Sequence, residues 1–132
     1  MCDDLPLNQP GFNPFAELIG FKVLRCAEGQ SEIALDIRKD HFHPGGVVHG
    51  GVAFTLADSS MAIALMSDLE MAGQVSTIEL KISYIAAVRE GKLVAEGSIV
   101  RRGKRVAFME SKVYEGDRLV ATATASFAIL DS

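Results

Sequence analysis

Residues 50–66, GGVAFTLADSSMAIALM, carry apolar side chains in almost every direction around a helix: Val52, Ala53, Phe54, Leu56, Ala57, Met61, Ala62, Ile63, Ala64, Leu65 and Met66. A helix that is apolar all round is a buried one. Its few polar residues are Thr55, Asp58, Ser59 and Ser60. Thr55, Asp58 and Ser59 stand at i, i+3 and i+4 and share one face. A carboxylate in such a helix needs a reason, because removing a charge from water is costly unless it is paired or has a task.

The flanks of this helix read mostly as strands. In QSEIALDI (30–37), Ile33, Leu35 and Ile37 alternate with Glu32, Ala34 and Asp36, as in a half-buried strand. STIELKISYI (76–85) places Ile78, Leu80, Ile82 and Tyr84 on one side and Thr77, Glu79, Lys81 and Ser83 on the other. KLVAEGSIVRR, RVAFMESKVYE and RLVATATASFAIL follow, joined by short turns at Arg102-Gly103 and Gly116-Asp117, as hairpins require. The last strand is small on both faces, so something must approach it closely. Upstream, Pro14 suits a helix first turn, and PFAELIG predicts a short helix ending at Gly20. The later strands have no helices between them, which disfavours a parallel sheet. The fold class expected is α+β: one antiparallel sheet wrapped around one long central helix. Residues 1–13 read as a flexible arm and 14–132 as a single domain.

The chain has 132 residues, 48% of them hydrophobic and 23% charged, with a net charge of -4. One domain with a real core fits these numbers. The acidic balance disfavours a general nucleic-acid binder. No run reaches 18 apolar residues, so no membrane partner is expected. The N-terminus has neither the basic nor the apolar region of a secretory signal. Cys2 and Cys26 read as two thiols without metal-ligand spacing, and they point to a reducing compartment and a cytoplasmic protein.

HFHPGGVVHGG, residues 41–51, leads into the helix. The first amides of a helix have no intrahelical partner. With the helix dipole they favour a developing negative oxygen. Gly50 would let a carbonyl come close to the backbone there. Gly50 and Asp58 are eight residues apart, about 12 Å of helix. One carbonyl cannot touch both in one chain. It can if two chains pack side by side in opposite directions, so the expected site lies at a homodimer interface.

HGGVAFTLAD closely resembles the PaaI-like acyl-CoA thioesterases of the hotdog superfamily. The resemblance runs from about residue 14 onward. Upstream, His43, Gly46 and His49 fall where those proteins often have Asn-x-x-Gly-x-x-His; downstream, residues 75–127 follow their strand pattern. It implies a hotdog fold and hydrolysis of an acyl-CoA to free acid and CoA, the acyl group being aromatic (phenylacetyl or hydroxybenzoyl type) or medium-chain. Asp58 would be general base or nucleophile, and the Gly50 N–H would hold the oxyanion. His49 would orient the loop or contact the thioester. Ser76 would help position the water or Asp58. His43 stands where relatives have Asn or Gln, and can donate one hydrogen bond and accept another.

Gly51 and the hairpin arginines Arg101, Arg102 and Arg105 are the expected CoA contacts, arginine being the better fork for phosphate. His41 reads as a solvated loop histidine. No metal and no separate cofactor are expected, and a homotetramer is the expected assembly. Three alternatives stay open: a hotdog hydratase or dehydratase, whose His-Phe-Pro-Gly stretch HFHPGG also resembles, a non-catalytic acyl-CoA-binding protein, and a purely structural subunit with Asp58 in a buried ion pair across the interface.

Overall fold

The computed structural model describes residues 6–130. In chain order it contains α1 (Pro14–Ile19), β1 (Phe21–Ala27), β2 (Gln30–Asp36), a 3-10 turn (Lys39–His41), α2 (Gly50–Asp68), β3 (Gln74–Tyr84), β4 (Lys92–Arg102), β5 (Val106–Glu115) and β6 (Arg118–Leu130). The strands form one antiparallel sheet in the order β1-β2-β4-β5-β6-β3. α2 lies across one face of it. This is the α+β architecture expected; the β5–β6 turn falls at Gly116-Asp117 as named, while Arg102 still belongs to β4 and the β4–β5 turn runs over residues 103–105.

Local chemistry accounts for the ends of α1. Asn13 accepts the Ala16 N–H at 3.1 Å as N-cap, Pro14 opens the first turn, and Gly20 closes it in the left-handed region at φ 102°. The segment expected to be a flexible arm is held from residue 6 onward. The Asn8 side chain donates to the Val23 carbonyl and accepts the Val23 N–H, both at 2.8 Å. It thereby occupies part of the free edge of β1. The first part of the expected arm, residues 1–5, lies outside the described residues. Cys26 is buried, and Cys2 lies outside the described residues.

α2 is seated by small residues. Gly97 on β4 lies directly beneath Ser60: a Cβ on Gly97 would overlap the Ser60 carbonyl and stand 2.8 Å from the Met61 nitrogen. Around this contact the Ser31 hydroxyl donates to the Ser60 carbonyl, and the Ser60 and Ser111 hydroxyls meet at 2.8 Å. All three serines are buried, and this network satisfies them. Leu56, Ala57, Met61, Ala64 and Leu65 then pack fully buried against Ile33, Leu35, Leu93, Ala95, Val113 and Phe127. The close approach inferred from the small last strand is made on β4, at Gly97. The small residues Ala121, Ala123 and Ala125 of β6 line the core.

The structure corrects two further expectations. α2 is long and apolar enough to cross a membrane by length and composition, but it is the helix of this core and only half buried. Gly51 and Phe54 are exposed, and Thr55, Asp58, Ala62 and Met66 are partly so, a stripe along the side turned from the sheet. In β3 the simple alternation fails. A bulge between Thr77 and Glu79 puts an extra residue into the strand. Leu80 and Ile82 still pack on the core, but Ile78 is 55% exposed and Thr77 turns toward α2.

The seat at Gly97 has a measurable consequence. Gly97→Ala forces α2 off the sheet or strains β4, and overpacking of this kind costs about 1–3 kcal/mol. Urea unfolding of the variant beside wild type reads the loss; a change below about 0.5 kcal/mol would mean the contact is looser than described.

Candidate active site

The site begins at the N-terminus of α2. His49 is the N-cap, and its Nδ1 accepts the Gly51 N–H at 2.8 Å. A histidine thus does what Ser, Thr, Asp or Asn usually does at this position. The Gly51 N–H is spent on that cap and is not offered to a ligand. The Gly50 N–H has no hydrogen-bond partner among the described residues. It is a free donor at the positive end of a 19-residue helix.

Gly50 is held from the other side by Tyr84. The Tyr84 hydroxyl donates to the Gly50 carbonyl at 2.7 Å, and a Cβ on Gly50 would stand 3.0 Å from the phenol carbon and oxygen. Partial burial pushes the Tyr84 phenol above its usual pKa. Between these groups opens a cavity of about 360 Å³, edged by His43, His49 and Gly50 and walled by Ala53, Ala86, Val88, Leu93 and Val120. Its walls are uncharged. A larger hollow of about 500 Å³ lies on the sheet's other face among Arg25, Glu96, Glu110 and Lys112, and none of the candidate residues lines it.

His43 is half-buried at the cavity edge. Its Nδ1 accepts the Gly45 N–H at 2.8 Å, and its ring meets that of His49 edge-on at 6.4 Å. The bond to Gly45 uses the acceptor nitrogen, so the neutral ring carries its proton on Nε2. His41 is not solvated: it is 3% exposed with both ring nitrogens bonded.

Asp58 lies two turns further along α2. It is partly exposed, and Oδ1 accepts the Thr77 hydroxyl at 2.7 Å. Thr77, not Ser76, gives Asp58 its hydroxyl. Ser76 is on β3 beside it and exposed, and no bond joins it to Asp58. Sequence reasoning misses Thr77 and Tyr84 because the bulge is not visible in the residue alternation; a hydroxyl next to Ser76 is the only hint.

The arginine hairpin sits at the far end of α2. Arg102 Nε meets Asp68 Oδ2 at 2.6 Å, while Arg101 and Arg105 are exposed. Asp68 is ten residues beyond Asp58, about 15 Å along the axis. Within one chain, then, Gly50, Asp58 and the arginines are strung along one helix rather than gathered. Among the described residues no three His, Cys, Asp or Glu side chains are grouped to hold a metal.

Comparison with known proteins fits this geometry. Residues 45–124 match the thioesterase superfamily model, and the chain belongs to that family. Its fold is the hotdog fold. The conserved protein PA5202 from Pseudomonas aeruginosa is 33% identical, with a TM-score of 0.90 over 95% of this chain and 100% of that one. A variant of the phenylacetic acid degradation protein PaaI from Thermus thermophilus is 29% identical, with a TM-score of 0.83 over 89% of this chain and 100% of that one. The 1,4-dihydroxy-2-naphthoyl-CoA hydrolase of Listeria monocytogenes is 24% identical over 86% of this chain and 93% of its own length.

The Thr77 bond is testable by hydrolysis kinetics. A hydrogen bond to a charged group is worth about 1.5–3 kcal/mol, so Thr77→Val should slow turnover about tenfold or more, and Thr77→Ser should restore most of it. Equal rates for Val and Thr would show that Asp58 needs no such partner.

Proposed function

We propose that this protein is an acyl-CoA thioesterase that cleaves an acyl-CoA with an uncharged aromatic or medium-chain acyl group to free acid and CoA. The observation that carries the reading is the pairing of chemistries on α2: an unpartnered Gly50 N–H over an apolar cavity, and a carboxylate at Asp58 fixed by Thr77 on the helix's open side. An oxyanion donor and a base or nucleophile are what hydrolysis of a thioester needs.

The acyl group would lie in the cavity with its carbonyl oxygen on the Gly50 N–H. Asp58 takes a proton from water as the water oxygen adds to the carbonyl carbon; alternatively, Asp58 attacks that carbon itself and water later cleaves the mixed anhydride. In either route the C–S bond breaks, the sulfur leaves with its electron pair, and CoA takes up a proton. His43 presents Nε2–H at the cavity edge, where it would donate to the carbonyl or the water. The uncharged walls support an uncharged acyl group. The names of two relatives, a phenylacetic acid degradation protein and a naphthoyl-CoA hydrolase, support an aromatic one.

Gly50 and Asp58 stand about 12 Å apart on one helix, so the working site takes Gly50 from one chain and Asp58 from another. The open stripe of α2 and the unpaired eleven-residue edge of β3 support such a dimer. A long exposed edge strand invites pairing. In that arrangement the arginine hairpin, tied to Asp68 through Arg102, lies at the end of α2 about 15 Å along the helix from Asp58, and its exposed Arg101 and Arg105 would meet the phosphates of CoA. A homotetramer would be two such dimers.

Thiol release from a panel of aromatic and straight-chain CoA esters tests the reading directly. Wild type should be fast on at least one class, and Asp58→Asn should lose at least about 100-fold in turnover with the fold intact. Near-normal turnover by Asp58→Asn would sink the assigned role.

A further inference from the structure

We infer that His41 is a positioning residue for the reaction: it fixes the direction of the Gly50 N–H, and does so only as the neutral ring protonated on Nε2. The inference rests on Gly50 as the oxyanion donor.

The direction of the Gly50 N–H is set by the backbone of His49, whose φ is -60° and ψ is 136°. Both ends of His49 are tied. Its side chain accepts the Gly51 N–H, and its own N–H donates to the His41 carbonyl at 2.7 Å. The second tie is only as firm as His41. That residue is almost fully buried and anchored at three points. Its N–H donates to the Arg38 carbonyl at 3.0 Å, its Nδ1 accepts the Arg38 N–H at 3.0 Å, and its Nε2 lies 2.6 Å from the Ile19 carbonyl.

A carbonyl can only accept and an N–H can only donate, so these partners fix the tautomer. Nε2 carries the proton and Nδ1 carries none. The Ile19 carbonyl belongs to the last residue of α1, and the Arg38 guanidinium donates to the Leu18 carbonyl beside it at 2.8 Å. Two of the carbonyls that a helix end leaves unpaired are thus satisfied by the loop that leads to Gly50. The chain of contacts runs α1, His41, His49, Gly50, and His41 is its middle link. A donor displaced by about 1 Å can cost on the order of 100-fold in rate.

Two variants split the contacts. His41→Asn keeps a local acceptor for the Arg38 N–H and cannot reach Ile19; His41→Gln can reach Ile19 and lacks the local acceptor. In both, kcat should fall about tenfold or more while KM stays within about twofold. Lower thermal stability with kcat unchanged would reduce His41 to a structural residue and overturn the inference. A readout without substrate separates this from any failure of the thioesterase reading: the Gly50 amide resonance of His41→Asn should move while amides of β5 stay in place. An unmoved Gly50 amide overturns the inference whatever the protein hydrolyses. If neither variant folds, ring nitrogen shifts of wild type decide. A His41 ring protonated on Nε2 supports the inference, and one protonated on Nδ1 or exchanging between the two contradicts it.

Discussion

Everything about the site follows from how α2 is pressed onto the sheet at Gly97. The absence of a side chain there lets the Ser60 backbone touch β4, and the hydroxyls of Ser31, Ser60 and Ser111 close around the contact. That contact sets the rotation of the helix. Each residue turns it by about 100°, so Asp58, two residues before Ser60, points roughly 200° away. The carboxylate is therefore carried on the side that the sheet does not cover. The same seat leaves Phe54, Ala62 and Met66 along that side, with Gly50 and its free N–H at the helix end.

From this one orientation comes the main chemical constraint. A donor and a carboxylate on one rigid rod, about 12 Å apart, cannot act on one carbonyl. A helix apolar all round but half covered solves the problem by needing a second cover. The edge of β3, next to Thr77 and Tyr84, has a neighbour on one side only. The groups that tune the site, Thr77 on Asp58 and Tyr84 on Gly50, sit on that same edge strand. Assembly and catalysis are thereby coupled in the proposed enzyme.

Much of this is legible in the residues. The existence of one long α2, the Pro14 and Gly20 limits of α1 and the glycine hairpins are local signals that read correctly, whereas the full burial expected of α2 does not hold. The expectation of a task for Asp58 comes from the cost of a carboxylate in that helix, and the structure lowers that cost by leaving Asp58 partly exposed. What local signals do not carry is register and long-range burial. The β3 bulge moves Thr77 across the sheet, so alternation alone cannot separate the hydroxyl on Asp58 from Ser76. His41 looks like any loop histidine until Ile19 of α1, 22 residues away in sequence, and Arg38, 3 residues away, are brought against it. Nor does a helix sequence say which of its apolar sides its own sheet will cover.

The central claim is that one site is built from two chains, and mixing two inactive variants tests it. Asp58→Asn keeps the donor and removes the carboxylate. Gly50→Pro removes the N–H at the first helical position, where proline is tolerated, and the extended backbone of His49 suits a following proline; the added Cβ crowds the exposed Tyr84 ring, which has to turn aside, so a Tyr84→Phe control is assayed beside it. The account predicts that each variant alone is inactive, and that unfolding and refolding them together in equal amounts restores about a quarter of wild-type activity, because half the dimers are mixed and each has one intact site. No recovery, with mixed dimers demonstrably formed, would place Gly50 and Asp58 in separate functions and contradict the account.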